Sequence, residues 1–188
     1  MGDQLTARVA LELVDHEAIV LETYLDNANP PRWTWGIGVT DQSGHKVARY
    51  KANPSTIEHV LEVYIWLLRK NYIPGVLRAF DGFPLSETEF AAALSFHYNT
   101  GAIGTTSWVG MVKSGQRDAA RKFLTTHYLN DGALQERRDK EAKLFFDGVW
   151  SQRDTAMVVP VNRSTFKPMF GKAKRVDIRA DMDKALAA

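Results

Sequence analysis

Between residues 24 and 50 the chain is punctuated by Asn27, Asn29, Pro30, Pro31, Gly36, Gly38 and Gly44. A long helix cannot run through that density of breakers, whereas short strands joined by tight turns can. The β-prone pieces WTWGIGVT (33–40) and HKVARYK (45–51) lie here, with a turn at DQSG (41–44), so a small sheet is expected. Helical patterns flank it. Leu5, Val9 and Leu13 share one face of a helix over 4–16, beside Ala10 and Val14. Ser55 and Glu58 stand at capping-box spacing before the apolar stripe Ile57, Leu61, Tyr64, Ile65 and Leu68. Ser86 and Glu89 open another helix in the same way. Shorter helices are expected over 105–114 and 116–128, and a longer one over 132–148. Past Trp150 the pattern loosens, save for a short helix in DIRADMDKALA (177–187).

The class that follows is α+β, with the strands collected near the N-terminus. The expected organisation is a domain over 1–150 and a C-terminal extension over 151–188. Within the domain, a small β lobe covers about 17–54. A larger helical lobe covers about 55–150 together with the N-terminal helix. A cleft between two such lobes is where a ligand is expected.

At 188 residues, 45% hydrophobic and 24% charged, the chain is long enough for one domain with a real core. No apolar run approaches the roughly 18–20 residues of a membrane span. The first residues are interrupted by Asp3, Arg8, Glu12, Asp15 and Glu17 and lack the layout of a signal peptide, so a cytoplasmic start is expected. The absence of cysteine excludes a disulfide framework and a thiolate zinc site. Net charge is only +2, but it is unevenly placed. Residues 151–188 hold eight basic and four acidic side chains, a net of +4, which leaves −2 for the rest. Such a segment suits a polyanionic surface: nucleic acid, phospholipid or cell-wall polymer. It equally suits a solvated tail packed on the domain.

The chemistry concentrates in HEAIVLETYLDNANPPRWTWGIGVT, residues 16–40. Glu17 falls where the first helix should end. The negative end of the helix dipole and the apolar neighbours Ile19, Val20 and Leu21 both favour its neutral acid form. Asp26, among Asn27 and Asn29, should stay ionised. Two carboxyl groups driven apart in this way suit glycoside hydrolysis, one protonating the leaving oxygen and the other serving the water or the sugar cation. Thr34 adds a hydroxyl that could hold that water. Gly36 and Gly38 would let a ligand approach the backbone or a strand turn closely. Taken alone, the same residues also fit a surface Glu at a helix end and an Asp that starts a turn.

The stretch resembles the active-site segment of the phage-type lysozymes, or endolysins, of glycoside hydrolase family 24. Glu17, Leu21, Tyr24, Asp26, Thr34, Gly36, Gly38 and Thr40 stand at the positions of that family's pattern. LSFHYNTGAIG (94–104) is similar to its Ser-Phe-x-Phe-Asn-x-Gly segment. Arg137, Arg138, Glu141, Leu144 and Phe145 are similar to its closing helix. The likeness runs from about Leu5 to Trp150. Ala18 stands for the usual Gly, Val39 for the usual His, Trp35 and Ile37 for Ile and Tyr, and the NANPPRW turn is longer than in the shortest relatives. The resemblance implies a lysozyme-like two-lobed fold. It implies Glu17 as general acid, Asp26 as the carboxylate supporting the water or the positive charge, and Thr34 as the residue positioning that water. The implied reaction is hydrolysis of the β-1,4 bond between N-acetylmuramic acid and N-acetylglucosamine in peptidoglycan, without metal or organic cofactor. Stereochemistry follows carboxyl separation, which the sequence leaves open; the resemblance implies inversion.

Beyond the catalytic set, Trp33 is the best of the tryptophans for stacking on a sugar, with Trp35 and Trp108 expected in the core. Gly36 is placed with the substrate-binding residues, and so is Asn99, which could meet an N-acetyl group or cap its helix. Glu22 is a rival acid, read as solvated or salt-bridged. His45 and His97 are read as structural, and Arg137 and Arg138 as surface or salt-bridging residues. The expected partner is bacterial peptidoglycan, with anionic membrane contact through 151–188, no nucleic acid, and a monomeric chain. The expected setting is the host cytoplasm until release through a holin-type pore, followed by action on the periplasmic wall. The rivals are a lytic transglycosylase, a virion component that binds or degrades the wall, and a membrane permeabiliser acting through the basic segment.

Overall fold

The structure is a computed structural model that describes residues 5–151 and 153–188. In chain order the regular elements begin α1 (Ala7–Val14), β1 (Ala18–Leu25), β2 (Trp33–Gly36), β3 (Val39–Thr40), α2 (Ile57–Leu67) and α3 (Ile73–Ala79). Next come α4 (Glu87–Thr100), α5 (Ser107–Lys113), α6 (Arg117–Thr126) and α7 (Gln135–Asp147). Last are β4 (Thr155–Val158), β5 (Val161–Asn162), β6 (Lys167–Pro168), β7 (Lys174–Asp177) and α8 (Arg179–Ala187). The fold is α+β. None of the described helices is long and apolar enough to cross a membrane. The helix expected over 4–16 is α1; Gln4 lies outside the described residues.

Two compact units divide the chain. The sheet unit holds Val14–Leu68 and Arg153–Ala188; the helical unit holds residues 5–13 and 69–151. This differs from the expected division in two ways. Helix α2 belongs with the sheet rather than with the other helices. The C-terminal segment is no appendage either: β4 pairs in parallel with β1, β7 pairs antiparallel with β4, and α8 packs on α2. The five-stranded order is β3-β2-β1-β4-β7. Strand β4 escaped the sequence because its partner lies more than a hundred residues upstream, and local periodicity carries no trace of that pairing.

In the sheet unit β1 alternates only in part, because its register against β2 is broken. Val20 pairs with Gly36 and Tyr24 with Thr34, so β1 covers four residues where β2 covers two. Such a bulge bends a strand and re-aims its side chains. The Leu21 carbonyl within it accepts the Trp35 indole N–H (3.1 Å) and the Ser55 N–H (2.9 Å). Drawing Ser55 to β1 moves the cap of α2 one residue on: Thr56 Oγ1 accepts from His59 N at 3.2 Å. HKVARYK, expected as a strand, is a 3₁₀ turn over Val47–Tyr50. Its buried residues, Val47 and Tyr50, are three apart, and three is the period of a 3₁₀ helix rather than a strand. Tyr50 stacks on fully buried Trp35 at 3.9 Å between centroids. The Thr23 hydroxyl donates to the Val47 carbonyl and ties the turn to β1.

In the helical unit the predicted start of α4 and end of α7 hold, while α7 begins only at Gln135, three residues after its expected start. Ser86 N donates to Glu89 Oε2 at 3.0 Å and Glu89 N to Ser86 Oγ at 3.2 Å, a complete capping box on α4. Helix α7 stops at Gly148 in the left-handed region, where glycine carries no Cβ penalty. Phe80, Phe96, Trp108 and Phe145 form the aromatic centre of this core. Arg137, Arg138 and Glu141 lie inside it, not on the surface. Glu141 is 1% exposed and accepts from Ser95 Oγ (2.7 Å) and Arg137 Nε (3.1 Å), with Arg138 Nη1 at 3.1 Å from its other oxygen.

Candidate active site

The site is built on β1, β2 and the turn between them. Glu17 follows the last turn of α1, its N–H donating to Val14 O at 2.9 Å, and directly precedes β1; its side chain is half-buried. Asp26 follows β1 and anchors the turn. Its Oδ1 accepts from Ala28 N (3.0 Å) and Arg32 N (2.8 Å), while its own N–H donates to Arg32 O at 3.0 Å. Asp side chains make this kind of bond to a backbone amide two residues on. Oδ2 accepts from Arg32 Nε at 3.3 Å and from Thr34 Oγ1 at 3.5 Å, both long. Oδ1 is therefore committed and Oδ2 is the freer oxygen; Thr34 is buried, and its hydroxyl also lies 3.3 Å from Arg32 O.

Electrostatics follow from these contacts. Desolvation pushes the Asp26 carboxyl up, but the bonds from Arg32 N and Ala28 N and the charge of Arg32 outweigh it. The net effect holds it below the ordinary carboxylate range. Asp26 is thus an anion at neutral pH. Tyr24 pairs across the ladder with Thr34 and lies where both carboxyl groups act on it. Burial first, then the charges of Glu17 and of Asp26, push its hydroxyl well above the usual tyrosine range. Tyr24 stays neutral and is the residue that feels both acids.

Glu17, Asp26, Thr34, Trp33 and Gly36 all belong to the sheet unit. The longer NANPPRW turn does not separate Asp26 from Thr34. Trp33 is 39% exposed and meets Phe166 edge-on at 5.3 Å, with Lys51 Nζ over its ring at 4.6 Å. Trp35 and Trp108 are fully buried. Gly36 is a correction: it is buried at φ +63°, and a Cβ there would stand 3.3 Å from Val60 Cγ1. Its lack of a side chain serves the packing of α2, not a ligand. Asn99 is an exposed residue of the helical unit whose Oδ1 accepts from Arg138 Nη2 at 2.7 Å; the residue that ends α4 is Gly101. Glu22 is salt-bridged to Arg163 at 2.9 Å, as expected of it. His97 packs on Gly75 and edge-on to Tyr72 at 5.4 Å. Among the described residues no group of three or more His, Asp or Glu side chains is gathered to hold a metal ion.

Three residues escaped the functional reading: Arg32, Tyr24 and Lys167. Tyr24 carried a signal, since it stands in the same pattern as Glu17, Asp26 and Thr34. Arg32 lies six residues from Asp26 across a Pro-Pro turn and carried none. Lys167, whose Nζ donates to Asp26 O at 3.0 Å, comes from the far end of the chain.

The phage lysozyme family model matches residues 14–141, a span that includes Glu17, Asp26 and Thr34. Among solved structures, the muramidase domain of SpmX from Asticaccaulis excentricus matches at 24% identity and TM-score 0.55, over 74% of this chain and 95% of that one. A mutant lysozyme of phage P22 matches at 20% identity and TM-score 0.61, over 76% and 98%. The active form of the P1 phage endolysin Lyz matches at 20% identity and TM-score 0.57, over 81% and 90%. No curated protein sequence matches.

Proposed function

Because the chain belongs to the phage lysozyme family and is a peptidoglycan-degrading glycoside hydrolase, we propose that it cleaves the β-1,4 bond between N-acetylmuramic acid and N-acetylglucosamine to lyse a bacterial host. Glu17 gives its proton to the glycosidic oxygen as the C1–O bond breaks. A water held by Asp26 Oδ2 and the Thr34 hydroxyl adds to C1 and loses its proton toward Asp26, inverting the anomeric centre. Asp26 is a weak base, so its main contribution is orientation and negative charge beside a developing oxocarbenium ion. Trp33 contacts the glycan in this reading. The enzyme reaches the periplasmic wall from the host cytoplasm through a separate holin-type pore.

The observation that carries the reading is the fourfold grip on Asp26 by Ala28, Arg32 and Thr34. Purified peptidoglycan digested by the protein should yield muropeptides with reducing muramic acid ends by mass analysis. Anhydro ends would reassign the chemistry to a transglycosylase, which needs one carboxyl. Asp26→Asn should lower turnover roughly 10²-fold; unchanged turnover would remove Asp26 from the mechanism.

Anionic membrane contact is a second reading, supported by a groove of about 480 Å³ lined by Val158, Val159, Val161 and Val176 and flanked by Lys172 and Lys174. Deleting 151–188 would not test it, because β4 and β7 are part of the sheet. The double substitution Lys172→Glu, Lys174→Glu should abolish co-sedimentation with phosphatidylglycerol vesicles. Retained binding would dispose of this reading.

A further inference from the structure

The family match ends at residue 141, yet a segment beyond it is bonded to the main chain of Leu25 and Asp26. The hairpin β5–β6 pairs Val161 with Pro168 and Asn162 with Lys167. From it, Phe166 O accepts the Leu25 N–H at 2.8 Å. Lys167 Nζ donates to Asp26 O at 3.0 Å and Leu25 O at 3.4 Å. The end of β1 and the start of the Asp26 turn are therefore held by a C-terminal hairpin. Beside this contact lies a groove of about 420 Å³, lined by Tyr24, Asp26, Asn27, Lys167, Pro168 and Phe170 among others. Phe170 is 66% exposed, the most exposed of the large apolar side chains among the described residues. An aromatic ring left in water on the wall of a groove that Asp26 also lines calls for an occupant.

The lining sets the chemistry. A pyranose offers an apolar face of C–H groups and a rim of hydroxyl and acetamido groups. Phe170 and Pro168 present apolar surface to such a face, and Asn27 presents an amide to its rim. The Lys167 ammonium has three donors, two of them directed at main-chain carbonyls. We propose that residues 166–170 complete an additional saccharide subsite beside Asp26, with Phe170 as its stacking platform, occupied by an N-acetylated hexosamine of the glycan strand. The inference rests on the glycan-hydrolase reading above. It places part of the substrate selectivity in a segment outside the family match.

The test is steady-state digestion of purified peptidoglycan by the full chain, by Phe170→Ala and by Phe170→Trp. Phe170→Ala should raise KM about three- to tenfold with kcat unchanged, and Phe170→Trp should restore KM. Thermal midpoints should match, since the ring is exposed. Unchanged KM in Phe170→Ala with an active wild type would overturn the subsite and leave the hydrolase reading standing. A fall in kcat alone would also overturn it. An inactive wild type would overturn the hydrolase reading and the subsite with it.

Discussion

Glu17→Gln should lower turnover on peptidoglycan about 10²–10⁴-fold, with the thermal midpoint nearly unchanged. Glutamine keeps the shape and the hydrogen-bonding capacity of the acid but has no proton to give a leaving oxygen. Glu17 sits in the joint between α1 and β1, where its N–H donates to Val14 O. The informative control is Glu22→Gln. Glu22 lies five residues on, within β1, and its carboxylate is paired with Arg163 at 2.9 Å. Loss of that surface pair should leave turnover nearly intact. Soluble muropeptide release would measure both. Comparable losses in the two variants, or none in Glu17→Gln, would show that the general acid has been misassigned.

The second large effect is on stability. Glu141→Ala should destabilise the protein by about 3–5 kcal/mol. Glu141 lies among Ser95, Arg137 and Arg138 at distances of 2.7–3.1 Å, and Arg138 is itself fully buried with its guanidinium 5.1 Å from the centre of the Phe96 ring. Removing the carboxylate leaves two guanidinium groups inside the core without their anion, and it also leaves a cavity. For a chain of this size the expected fall in melting temperature is about 6–20 °C. Glu141→Gln should fall between, since the amide keeps an acceptor for Ser95 but loses the charge. Calorimetric melting of the three proteins would decide it. A melting temperature within about 2 °C of wild type for Glu141→Ala would mean that the buried triad is no more stabilising than solvated charges.

The two effects stand at opposite ends of what could be read from residues alone. The proposed acid was picked out from the order Glu17, Tyr24, Asp26, Thr34, which is a pattern in the chain itself. The triad was half legible. Arg137, Arg138 and Glu141 have the spacing of helical neighbours, and a salt bridge was foreseen. Nothing local reveals that this face of α7 packs against α4, whose Ser95 carries the partner hydroxyl, so their burial was not. The same limit explains Gly36. A glycine in a strand signals close approach, and the sequence cannot say whether a ligand or Val60 approaches.

Elements defined by near neighbours were determined by the chain's own order: the capped start of α4, the Gly-terminated α7, the turn-rich region from 24 to 44, and the carboxylate pair with its threonine. Hydrogen bonds and side-chain periodicities of that kind act over a few residues, and a few residues of sequence encode them. Everything that required a partner far along the chain was decided only in the folded state. The bulge in β1 between Val20 and Tyr24, the addition of β4 and β7 to the sheet, and the bond from Lys167 to the Asp26 carbonyl are of this sort. Each is a pairing between segments whose local patterns are compatible with many partners, and only the shared burial of β1, β4 and α2 selects one.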